Sequence, residues 1–188
     1  MRRFAALALC LLPGLLLTAP LAAKTVAGVS MPESVKVDDH ELVLNGVALR
    51  SKAIFKVYVG GLYLPDKEHD WKKVLGEDEP RHMVMQWVRN VDKAKICEAW
   101  DEGLEANTPG ASPEIKKNFE TLCSYMQDAR EGDKFTFTYI PGKGTDVAIN
   151  GQAKGTLGSK PFADALFACW IGAHPGPGET FRDALMGN

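Results

Sequence analysis

The sequence predicts an α+β domain, an antiparallel sheet of about six or seven strands with helices packed on one face. Two observations predict it. Strand-like segments and helix-like segments come in blocks: strands first, two helices in the middle, more strands, then a further helix. Asn-Gly pairs, the strongest short hairpin signal, stand at Asn45-Gly46 and Asn150-Gly151.

Each element has its own justification. Glu41–Leu44 and Val47–Leu64 flank the first Asn-Gly and are rich in β-branched, aromatic and aliphatic residues, so they read as a strand pair ended by Pro65-Asp66. Asp70 to Leu75, with Gly76 behind it, reads as a short helix closed by a glycine. Met83, Met85 and Trp87 alternate onto one face of a strand over Arg81–Val88. Asp92 is a natural cap for a helix carrying Ile96, Trp100 and Leu104, broken by Asn107-Thr-Pro-Gly110. Ser112 caps the next, with Pro113 at its first position and Ile115, Phe119, Leu122 and Met126 as its apolar stripe. Phe135, Phe137 and Tyr139 alternate with threonines as a strand. Pro141-Gly-Lys-Gly144 turns the chain toward Val147–Ile149, and Asn150-Gly151 turns it back toward Thr156. Gly142-Lys-Gly-Thr145 lacks the spacing of a phosphate loop and joins two strands, so it is a hairpin tip. Ser159 caps an amphipathic helix over Pro161–Gly172, and Phe181–Met186 is a short closing helix.

Residues 1–23 read as a signal peptide outside the fold. Arg2 and Arg3 precede an apolar run from Phe4 to Leu17, and small residues follow up to Ala23, with cleavage expected before Lys24. Leu9 before Cys10 argues against lipid attachment there. Residues 24–188 then form one domain, with a core-sized length and no further apolar run long enough to span a membrane. The expected location is periplasmic or secreted. Without Arg2 and Arg3 the chain carries 20 Lys and Arg against 24 Asp and Glu, a net charge of −4. That balance, with no basic stripe, argues against nucleic acid as a partner. Three cysteines follow the leader, Cys97, Cys123 and Cys169. One pair has an oxidising compartment in which to close, and the odd thiol is expected to be buried. If the two middle helices pair antiparallel, a Cys97–Cys123 bridge is one outcome, which sequence alone does not decide. The cysteine spacings and the scattered histidines match no metal motif, and no cofactor is expected.

No motif of nucleophilic or acid–base catalysis is present, so no catalytic residue is assigned. What stands out is polar content in an apolar strand. Arg50, Lys52, Lys56 and Tyr58 share one parity, and a buried polar group there needs a protein or ligand partner. An arginine fork and a phenol suit a carboxylate. A straight strand would hold Arg50 and Tyr58 roughly 26 Å apart, so they share a ligand only if the chain bends or folds between them. The alternative is structural, with Arg50 paired to an acid at a sheet edge and Tyr58 a core ring with a wet hydroxyl.

Gly46-Val-Ala-Leu-Arg50-Ser-Lys52 and Phe55-Lys-Val-Tyr58-Val-Gly-Gly61-Leu-Tyr-Leu64 resemble the chalcone isomerase superfamily, most closely its secreted bacterial chalcone isomerase-like branch. Trp87–Leu104, Gly132 to Gly151 and Phe162 to Gly172 are similar to that branch in the same order. The resemblance implies an open-faced β-sandwich: a long antiparallel sheet, helices over one face, and a cleft between them. It implies Arg50 and Tyr58 as ligand-binding residues, since fatty-acid-binding members hold a lipid carboxylate with an arginine and a tyrosine, and plant isomerases have threonine at the second position. The stretch between the two is shorter here. The isomerases also carry a catalytic tyrosine at the strand-to-helix junction occupied here by Asn90-Val-Asp92, and Arg81–Asn107 contains no tyrosine. The reading is therefore a non-catalytic periplasmic protein binding a fatty acid or similar amphiphilic carboxylate in an apolar cleft. The alternatives are an isomerase (intramolecular lyase) acting on a chalcone-like or enone substrate, and a structural or assembly factor of the cell envelope. The oligomeric state is not legible.

Overall fold

The computed structural model describes residues 23–188, so the leader expected over residues 1–23 lies outside the described residues except for Ala23. Its chain order is β1 (Ala23–Val26), β2 (Val29–Pro32), β3 (Ser34–Val37), β4 (His40–Lys52), β5 (Phe55–Leu64), α1 (Trp71–Gly76) and β6 (Arg81–Trp87). There follow α2 (Lys93–Asn107), α3 (Pro113–Tyr125), β7 (Lys134–Ile140), β8 (Gly144–Ile149), β9 (Gln152–Leu157), α4 (Lys160–Ile171) and α5 (Glu179–Leu185). β3 to β9 form one seven-stranded antiparallel sheet in sequence order, and β1–β2 is a separate hairpin. The α+β reading, with helices on one face of a long antiparallel sheet, describes this molecule.

Both faces of the sheet are covered. The helix side holds the main core, in which Phe135, Phe137 and Tyr139 of β7 meet Trp100 of α2 and Trp170 of α4. A smaller cluster on the other face joins Val29 and Met31 of β2 to Leu42, Val47, Val59, Tyr63 and Val84. Glycines Gly60 and Gly61 of β5 mark how closely the layers approach. A Cβ on Gly60 would lie 2.7 Å from the Phe181 ring, and one on Gly61 would lie 3.1 Å from Met31 Sδ.

The first Asn-Gly is not a hairpin turn. β4 runs straight through it, and Asn45 is the extra residue of a β-bulge, with Leu44 opposite Tyr63 and Gly46 opposite Leu62. The reason is tertiary. The buried Asn45 amide donates to the Glu68 and Leu185 carbonyls and accepts from the Glu68 N–H, stitching β4 to two distant segments. A Cβ on Gly46 would strike the Ala184 and Leu185 carbonyl oxygens, so only glycine lets α5 sit there. The turn lies instead at Ala53-Ile54, closed by Lys52 opposite Phe55, with Ala53 at φ +54°. The single strand expected over Val47–Leu64 is therefore two strands. Asn150-Gly151 does turn the chain, both residues having positive φ, between Ile149 and Gln152.

α1 to α4 start at or within one residue of where the sequence places them, with a difference in capping, while α5 begins at Glu179, two residues before the expected Phe181. Asp70 and Ser112 accept a first-turn N–H with their side chains, whereas Asp92 and Ser159 occupy the cap position without that bond. α4 is not amphipathic: Phe162, Ala163 and every residue from Ala165 to Ile171 are buried. It lies at the centre of the helical layer, against α1, α2, α3 and α5. Cys97 and Cys123 form a disulfide that ties α2 to α3, and Cys169 is the free, buried thiol.

Candidate functional site

The hairpin turn at Ala53-Ile54 decides the geometry of the site. It folds the apolar segment back on itself, so Arg50 of β4 and Tyr58 of β5 become directly opposed cross-strand partners. Opposed residues project from the same face with Cβ atoms roughly 4.5–5.5 Å apart. The two groups thus meet despite the straight-chain separation between them.

They line a cleft of about 510 Å³ between the sheet, α2 and α4. Its floor is aromatic and aliphatic: Met85 and Trp87 of β6, Ile96 and Trp100 of α2, and Trp170 of α4. Rings brace one another, with Tyr58 edge-on to Trp87 at 5.4 Å and to Phe181 at 5.6 Å, and Trp100 edge-on to Trp170 at 5.1 Å. Gly176 and Pro177, from the link between α4 and α5, close one side. The rim is charged, with Lys52 and Arg89 at the sheet end and Glu98 and Glu102 on α2.

Arg50 donates from Nη1 to the Pro177 carbonyl at 2.7 Å. No Asp or Glu among the described residues pairs with it. The edge ion pair considered for Arg50 does not form, and most of its five N–H donors are free for an anion. Burial pushes the Tyr58 phenol well above its ordinary value, against the opposing pull of the Arg50 charge and the Trp170 indole N–H. Tyr58 is therefore a neutral O–H donor beside a fixed cation. Cys169, also in the lining, is pushed up to about 12 by burial and makes a 3.4 Å bond to the Ala165 carbonyl, so its thiol is not a nucleophile. At the strand-to-helix junction the cleft meets Asn90, Val91 and Asp92. The indole nitrogens of Trp87 and Trp100 are buried without a hydrogen-bond partner, a cost of roughly 1–3 kcal/mol each.

Sequence reasoning placed Arg50 and Tyr58 but missed what surrounds them. Trp87 and Trp100 were legible only as core positions, because alternation and helical period mark a buried face without saying that it borders a void. Pro177 gives no sequence signal, since its contribution is a carbonyl. The buried arginine of this fold is a different one. Arg81, 1% exposed, bonds Asp164 at 2.6 Å and lies between the Tyr139 and Phe167 rings. It stands at the far end of β6 from the cleft and holds α4 to the sheet. Among the described residues no group of His, Cys, Asp and Glu is arranged to hold a metal ion, and no helix is long and apolar enough to cross a membrane.

Comparison with solved structures finds the crystal structure of the fatty-acid binding protein AtFAP1 of Arabidopsis thaliana. The match has a TM-score of 0.68 and 18% identity, covering 88% of this chain and 97% of that one. At that identity the likeness establishes a shared fold. No curated protein sequence matches the chain. The model of the chalcone isomerase-like family matches residues 23–187, nearly all of the described residues. With the open-faced sheet, the helical layer and the cleft between them, that match shows that the chain belongs to the chalcone isomerase-like family.

Proposed function

We propose that this chain is a non-catalytic binding protein for a fatty acid or similar amphiphilic carboxylate, and that it is an exported member of the secreted bacterial branch of its family. The observation that carries the reading is the Arg50–Tyr58 pair: a cation without a carboxylate partner and a neutral phenol, side by side in a cleft whose floor is aromatic and aliphatic. A carboxylate takes two N–H bonds from the guanidinium and one O–H bond from the phenol, while its chain lies on the tryptophans. The cleft's size falls within the roughly 300–1,000 Å³ of small-molecule sites. AtFAP1, of the same fold, is a fatty-acid binding protein, which supports the ligand class by analogy only. The Cys97–Cys123 bridge and the leader composition support export to an oxidising compartment.

Protonation states and side-chain types support the non-catalytic side of this reading. The phenol and thiol that reach the cleft are held neutral, and the junction residues Asn90 and Asp92 offer no phenol to orient an enone.

Native mass spectrometry of freshly purified protein and melting curves with medium- and long-chain fatty acids test the reading. Bound lipid and a raised melting temperature are expected. Arg50→Ala is expected to weaken binding on the order of 10- to 100-fold. A bare chain whose melting fatty acids do not change overturns it. Chalcone turnover above background that Arg50→Ala abolishes would establish the isomerase instead.

A further inference from the structure

The β4–β5 hairpin ends in the two exposed large hydrophobic side chains of the described structure: Ile54, 89% exposed, and Phe55, 53% exposed. Single exposed apolar residues are ordinary. These two are adjacent, Ile54 in the two-residue turn and Phe55 at the start of β5, and Phe55 also lines the cleft.

The charge around them is segregated. Arg50, Lys52 and Lys56 flank the tip on its own strands, and Arg89, just beyond β6, stacks over the Phe55 ring with its Cζ 4.6 Å from the centroid. From Leu42 to Pro65, and again from Arg81 to Val91, the chain has no Asp or Glu. Yet the chain after the leader carries a net charge of −4. Asp92, Glu98 and Glu102, the acids that line the cleft, lie on the α2 side, and Asp92 is within 3.9 Å of Lys95. An apolar tip ringed by cations on an acidic protein matches the layered chemistry of an anionic bilayer, with acyl chains beneath phosphates.

We infer that the Ile54-Phe55 tip docks on an anionic phospholipid surface, with Ile54 and Phe55 entering the acyl boundary and Lys52, Lys56 and Arg89 contacting headgroup phosphates. Docking brings Phe55 and Lys52, at the cleft rim, against the lipid, so the cleft opens toward the membrane rather than toward water. The inference goes beyond the proposed ligand: it gives the route by which an amphiphile enters. It stands on the tip itself and is measured separately from carboxylate binding.

Co-sedimentation of the purified protein with fatty-acid-free vesicles tests it. Vesicles of equal parts phosphatidylglycerol and phosphatidylcholine are compared with pure phosphatidylcholine. Binding to the anionic vesicles, weakened by salt, is expected. Ile54→Asp is expected to lower partition roughly tenfold or more, and Lys52→Gln or Lys56→Gln roughly fivefold each. Lys117→Gln, on α3, is expected to leave it unchanged. Because Ile54 is exposed, Ile54→Asp is expected to keep the wild-type melting temperature, which separates lost docking from lost folding. Equal recovery with neutral and anionic vesicles, or wild-type partition of Ile54→Asp, overturns the inference. So does self-association through the tip without vesicle binding, read by sedimentation velocity. Fatty-acid binding is measured without vesicles, so failure of that reading shows in the melting curves and failure of docking shows in the pellet.

Discussion

Arg50, Asn45 and Ile54 show how far a single residue type informs. Arg50 stood out in sequence because a guanidinium in an apolar run needs a partner, and in the fold it meets only a loop carbonyl and the neighbouring phenol. Its loss is expected to cost ligand, as proposed above, more than stability. Asn45 is the reverse case. Its side chain makes three hydrogen bonds at a buried bulge, so Asn45→Ala leaves the Glu68 N–H and two carbonyls without their partner. We expect roughly 2–4 kcal/mol of destabilisation, read by urea denaturation, with Asn45→Asp failing to restore it because the donor NH₂ is gone. A change below half a kilocalorie would show the bulge to be held by the backbone alone. Ile54 was legible as strand interior and is the most exposed large apolar side chain of the described residues. Its docking role is tested by the vesicle partition of Ile54→Asp.

At the scale of elements, local patterning succeeded wherever one face met one core. The alternation in Arg81–Val88, the caps at Asp70 and Ser112, and the Asn150-Gly151 turn all appear in the fold because local chemistry and tertiary context agree there. Two elements departed. Asn45-Gly46 was recruited by α5 and the Glu68 loop, while the real turn uses Ala53 in a left-handed conformation that no glycine or asparagine announces. α4 reads as amphipathic but is enclosed, since other helices cover the side that would face water. The α2–α3 pair is held by the disulfide across a sequence separation of 26 residues. Chain-entropy reasoning makes that closure worth roughly 3–4 kcal/mol. Reduction with dithiothreitol, or a Cys97→Ser/Cys123→Ser variant, is expected to lower the denaturation midpoint accordingly. An unchanged midpoint would place the stability of α2 and α3 wholly in their packing on α4.

For the whole molecule, the sheet separates two chemistries. Its helix-covered face carries the cleft, and its other face carries His82, whose ring bonds the Thr138 hydroxyl at 2.7 Å and packs beside Tyr63. Burial, with a smaller contribution from Lys134, lowers the His82 pKa to about 4. The unfolded chain takes up that proton near its ordinary value of about 6.5, so the histidine's contribution is fully present above that pH. It declines as pH falls toward 4, by at most about 3 kcal/mol. Melting temperatures from pH 7 to 4 are expected to fall more steeply for the wild type than for His82→Gln, and parallel curves would refute the assignment. Local patterning did not announce β1, β2, β3 or the turn between β4 and β5, but it was enough for the fold class, the order of the remaining elements, the family resemblance and the choice of Arg50 and Tyr58 as candidates. Each of these rests on local periodicity, turn chemistry or motif, which neighbouring residues carry without reference to the rest of the chain. Tertiary packing was needed to set Arg50 against Tyr58, to leave Arg50 without a carboxylate partner among the described residues, and to stand Ile54 and Phe55 in solvent at the cleft's mouth. Those outcomes depend on where a two-residue turn falls: at Ala53-Ile54, with no glycine or asparagine to mark it, and not at Asn45-Gly46, whose partners Glu68, Ala184 and Leu185 lie far along the chain where no local pattern reaches.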